Sequence, residues 1–101
     1  MTAFIYSSKI NADTSADLNF NAYLIDASSN NVTLTLPTID GDDITYVLSR
    51  VDVSVNSNVV TIACSGGNTF PDLSTSITIP QNKAFTINSN GNIWFFLDYM
   101  N

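Results

Sequence analysis

Along most of this chain apolar residues alternate with threonine, serine and asparagine. A period of two places one set on each face of a β-strand. Val32-Thr33-Leu34-Thr35-Leu36, Val51-Asp52-Val53-Ser54-Val55 and Ile77-Thr78-Ile79 are the plainest runs. Leu18-Asn19-Phe20-Asn21-Ala22 begins another that continues through Tyr23-Leu24-Ile25, and Ile44-Thr45-Tyr46-Val47-Leu48 and Val59-Val60-Thr61-Ile62-Ala63 are rich in residues that suit a pleated surface. Turn-forming clusters separate the runs at residues 26–31, 38–43, 56–58, 65–68 and 81–83. Pro37 and Pro80 each close a run, because proline has no N–H for the ladder. No segment carries a 3.6-residue period. The pattern predicts eight or nine short strands at intervals of roughly ten residues. The expected fold is all-β: a compact antiparallel sandwich, jelly-roll-like, or a β-prism.

The end of the chain concentrates the pattern. Asn90-Gly91 stands between Phe85-Thr86-Ile87-Asn88 and Ile93-Trp94-Phe95-Phe96-Leu97, which predicts a tight hairpin with a type I′ turn at Asn90 and Gly91. Strict alternation puts Ile93, Phe95, Leu97 and Tyr99 on one face, and Trp94, Phe96, Asp98 and Met100 on the other. Both faces are then largely apolar, so the strand needs one cover from its own core and a second from elsewhere. A second copy of the chain is the expected cover, with Trp94, Phe96 and Met100 as interface candidates. At the other end, residues 1–17 read as an initial strand and polar loop, or as a connector, ahead of a module over residues 18–101.

Composition narrows the function classes. In 101 residues the net charge is −6, from nine acidic residues, all of them Asp, against Lys9, Arg50 and Lys83. Such a chain gains nothing from neutralising phosphates, so neither nucleic acid nor an anionic membrane surface is an expected partner. No apolar run is long enough for a membrane helix, and no membrane insertion is expected. Cys64 is single, which rules out an internal disulfide and fits maturation in a cytoplasm.

Chemistry is sparse. The absence of His removes any Ser-His-Asp or Cys-His arrangement and, with one Cys, any zinc site. Cys64 reads as a small buried hydrophobe. Asp40, Asp42 and Asp43 around Gly41 could serve a hard cation, but their spacing is not that of an EF-hand and Asp and Gly are ordinary turn residues. No cofactor, metal or catalytic residue is therefore assigned. Gly66-Gly67 lacks the Lys and Ser/Thr of a phosphate loop and reads as a bend. Tyr46 and Phe70 remain as candidates for stacking on a ligand, and a monomeric carbohydrate-binding module associated with an enzyme is the alternative reading they support.

Several pieces occur in a fixed order: Tyr23-x-Ile25-Asp26, Val32-Thr33-Leu34-Thr35-Leu36-Pro37, Ile44, and Val51-Asp52-x-Ser54-x-Asn56 before Val59-x-x-Ile62. Then follow Gly67-Asn68-Thr69-Phe70, Ile77 and Ser89-Asn90-Gly91-x-x-Trp94. The ordered set, over about residues 20–97, resembles the small all-β modules at the tips of phage tail fibres and of other viral fibres. The resemblance implies a homotrimeric, non-enzymatic fibre head on the virion surface, assembled in the host cytoplasm and attached to a host-surface glycan or protein receptor. It carries over no catalytic or receptor-contact residue. The last strand is more aromatic than that pattern.

Overall fold

The computed structural model describes residues 5–100, with side chains through Leu97. Eight strands and no helix occur among them: β1 (Thr14–Ser15), β2 (Ala22–Ile25), β3 (Val32–Thr35), β4 (Thr45–Arg50), β5 (Val60–Ala63), β6 (Ser76–Ile79), β7 (Ala84–Asn90) and β8 (Ile93–Met100). They form two four-stranded sheets, in the orders β2-β4-β7-β8 and β1-β3-β5-β6. The sheets face each other across one core and make a compact globule, with a Cα radius of gyration of 12.8 Å.

Both sheets are mixed rather than antiparallel throughout. From β1 to β5 each successive strand changes sheet, so the next strand in any one sheet arrives two elements later and runs the same way. β2 and β4 are therefore parallel, as are β1 with β3 and β3 with β5. A parallel pair needs a long crossover; here the crossover is itself a strand of the opposite sheet. Only β6, β7 and β8 join by antiparallel pairing. Residues 5–13 lie along the same body, with Tyr6 bridged to Ala22 and Ile10 to Ile25.

The alternation of the sequence builds the core directly. Val32, Leu34, Val60, Ile62 and Ile79 line the inner face of the β1-β3-β5-β6 sheet, and the threonines between them, Thr33, Thr35 and Thr61, turn outward and are only partly covered. The facing sheet contributes mainly aromatic side chains, Tyr23, Tyr46, Phe85 and Trp94, together with Ile25, Leu48 and Ile87. Each fully buried aliphatic side chain contributes on the order of 1.5–3 kcal/mol from its removal from water.

Four expectations about the strands require correction. Residues 51–55 alternate but are not a strand; β4 stops at Arg50, and Val53 and Val55 are exposed. The polar positions between them, Asp52, Ser54 and Asn56, bind side chains and loop backbone instead of a ladder. Likewise 18–21 is loop, with Leu18 exposed.

The hairpin forms one residue later than expected. Asn90 pairs with Ile93, so the loop is Gly91-Asn92, and φ is positive at Gly91 (69°) but not at Asn92. Glycine at the first central position is the requirement of a type II′ turn rather than type I′. The strict alternation of β8 also fails. Ile87 pairs with Phe96 and Thr86 with Asp98, leaving Leu97 as an extra residue in a β-bulge that shifts the register beyond it.

Candidate functional site

The connections between strands collect at the two ends of the sandwich. At one end lie residues 26–31, 51–59 and 80–83; at the other lie 16–21, 36–44, 64–75 and the Gly91-Asn92 turn. The first end is built round an ion pair. Arg50 Nη2 lies 2.9 Å from Asp52 Oδ2, with both side chains buried. The guanidinium also donates to the Ile79 carbonyl (2.9 Å) and the Asn58 carbonyl (2.7 Å). Asp52 accepts from the Ala27 N–H and Asn56 Nδ2. Burial alone would raise the Asp52 carboxyl, but the hydrogen bonds from Arg50, the Ala27 N–H and Asn56 outweigh it and hold the group below the usual carboxylate range. All three loops of this end therefore meet at one satisfied pair, which leaves it closed.

The second end contains a cleft of about 800 Å³. Leu18, Phe20, Pro37 and Ile44 give it apolar walls, and Asn21, Thr38, Asp42, Asp43 and Thr45 give it polar ones. Two phenols set the first wall: the Asp17 N–H donates to Tyr23 Oη (2.8 Å) and Tyr46 Oη donates to the Asp17 carbonyl (2.7 Å). Phe20 packs edge-on against Tyr23 at 5.9 Å between centroids and is half-buried.

Buried neutral groups set the second wall. Asn68 takes both the N–H (2.7 Å) and the C=O (3.0 Å) of Ile39. Ser89 Oγ accepts from the Ile44 N–H and donates to the Asp42 carbonyl. Gly66 permits the close approach of the neighbouring loop: its φ is +61°, and a Cβ there would stand 2.4 Å from the Thr38 side chain.

Charge is divided unequally between the ends. Asp17, Asp40, Asp42, Asp43 and Asp72 all belong to loops of the cleft end. Each of the three basic residues lies toward the other: Arg50 in the ion pair, Lys83 in the β6–β7 connection, and Lys9 close enough to act on Asp26. Asp42 accepts from the Asp40 N–H and Asp43 from Asn88 Nδ2, which orients both carboxylates and leaves further acceptor capacity. No group of acidic residues converges as a metal site among the described residues.

The residues singled out from sequence fall in separate places. Tyr46 lies beneath the cleft but is buried, stacked on Trp94 at 5.7 Å, and burial pushes its phenol strongly up. Phe70 is buried too, stacked on Phe96 at 5.5 Å. Neither presents a ring to solvent, so the open platform expected of them is not formed. Trp94 is fully covered within its own chain, because it sits on the inner face of β8. It has no surface left to offer a neighbour, and its indole N–H meets no acceptor among the described residues.

Phe96 differs. It is 42% exposed although it touches Phe70 and Phe85, and it adjoins Phe95 and Leu97, the latter 63% exposed. The Met100 side chain lies outside those described. Cys64 is half-buried beside the core, and burial pushes its thiol up to about 11, far from a reactive thiolate. Asp42 and Asp43, which the sequence offered only as part of a possible cation cluster, line the cleft beside Leu18 and Phe20, which had not stood out as binding residues. Their nearest signal is the mismatch of Leu18, an apolar residue of a strand-like run that the fold leaves in a loop. No protein-family model matches the chain, and comparison with curated proteins finds no match.

Proposed function

We propose that this chain is the head module of a viral fibre, from a phage or another virus. In this reading it is a non-enzymatic, jelly-roll-like or prism-like unit that acts as a homotrimer on the virion surface, after assembly in the host cytoplasm. Its task is attachment to a receptor on the host cell. One observation carries the reading: Phe95, Phe96 and Leu97 form a continuous exposed apolar run on β8, the outermost strand of its sheet. A long edge strand that exposes such an apolar run is an aggregation hazard that proteins ordinarily cover. Identical neighbours cover it in an oligomer of fixed size. The ordered motifs support the same reading, since Asp52, Asn56, Asn68 and Ser89 are the residues that fasten the loops. The carbohydrate-module alternative loses its two named rings to the core.

Sedimentation or light scattering of the purified chain tests this. A trimer is expected, and Phe96→Ser with Leu97→Ser should shift the mass to one subunit while leaving the circular dichroism of the fold. A stable monomer of the unaltered chain would overturn the proposal.

A further inference from the structure

We propose that the cleft at the acidic end docks a basic segment of a protein partner, with a lysine or arginine head between Asp42 and Asp43 and an apolar neighbour on Leu18, Phe20 and Ile44. The inference rests on the attachment reading and names the chemistry of the receptor. The cleft supplies the apolar part: Leu18 is 75% exposed, and Phe20 and Ile44 lie partly open beside it. A basic side chain matches such a groove, because its aliphatic stem lies on apolar surface while its charge reaches outward.

Charge complementarity selects the head group. Asp17, Asp40, Asp42, Asp43 and Asp72 gather at this end, and no basic side chain of the protein stands near enough to neutralise them. The resulting field repels phosphate, sulfate and acidic sugars, and it steers cations toward the cleft. Asn88 and the Asp40 N–H already orient the two carboxylates, so little ordering remains to be done on binding. Tyr46, the one ring placed beneath the cleft floor, is buried and offers a neutral glycan no face to stack on.

The test is a ¹H–¹⁵N NMR titration of the whole chain with a capped oligolysine peptide carrying one central leucine, followed by anisotropy with the same peptide labelled. Amides of residues 17–21 and 38–45 should shift, and binding should weaken steeply between about 0.05 and 0.5 M salt. Asp42→Asn with Asp43→Asn should weaken binding about tenfold. Asp13→Asn with Asp26→Asn, the same change of net charge at the other end, should leave it nearly unchanged. Leu18→Ser should weaken it a few-fold.

Equal losses in the two Asn pairs, or shifts spread over the whole surface, would mean general attraction to an acidic protein and would overturn the site. A neutral oligosaccharide that moves the same amides more tightly would overturn it in favour of a glycan. A trimer without peptide shifts removes this inference alone; a monomer that binds the peptide here removes the fibre reading and keeps the site.

Discussion

Two ends of one sandwich are fastened by different means. At the closed end a guanidinium and a carboxylate, both buried, gather three loops, and the Ala27 N–H and the Ile79 and Asn58 carbonyls are turned toward them. At the cleft end Asn68 and Ser89 grip the loops through neutral hydrogen bonds, while the carboxylates stay at the surface, away from any cation. The difference shows where a small acidic protein can place charge. A charge taken out of water must be paired and saturated, whereas a charge kept in water can remain free to meet a partner. One end is thus committed to stability and the other is left open for recognition.

The contrast is broken most severely at Arg50. Arg50→Met strands a buried carboxylate and should cost about 3–5 kcal/mol in urea unfolding. Asn68→Ala, its counterpart at the cleft end, leaves the Ile39 peptide groups without partners and should cost roughly 1–3 kcal/mol. That smaller loss should be independent of pH, since no ionisable group is involved.

Acid unfolding sharpens the comparison further. Asp52 is held below its ordinary value in the fold, so its contribution is fully present above the unfolded pKa, close to 3.8, and is lost as pH falls through the lower folded value. Stability should therefore be level from neutrality to about pH 5 and fall below about pH 4, and Asp52→Asn should flatten that acid limb. The smallest effect belongs to the free carboxylates. Asp42→Asn with Asp43→Asn should change stability by no more than about 0.5 kcal/mol. A larger loss would mean that these groups hold the fold, and the division between the ends would fail.

The class of fold was legible because a period of two is imposed by the pleat itself, and Val32 to Leu36 shows it in five residues. The mixed pairing was not. Nothing local in β2 records that its neighbour will be β4 rather than β3, since that choice depends on which sheet each strand joins. The error over residues 51–55 has the same root. Val51, Val53 and Val55 alternate like a strand, yet Asp52 and Asn56 are claimed by Arg50 and by loops distant in sequence. Trp94 and Phe96 were read as one face, and they do share it; what differs is the cover on each, Tyr46 stacked on a fully buried Trp94, and Phe70 and Phe85 over only part of Phe96. The cleft was invisible for a simpler reason: its walls come from two loops that meet only when the phenols of Tyr23 and Tyr46 clamp Asp17.

The way the first five strands change sides has a kinetic consequence. No early segment can complete either layer by itself, because Leu34 must find Ile62, and Ala22 must find Val47, across chain that is busy building the opposite wall. Such distant matches are slow to assemble, and refolding should be a single event on a scale nearer milliseconds to seconds than microseconds. The carboxy-terminal ribbon, whose two arms are joined by a two-residue turn, can form ahead of the rest.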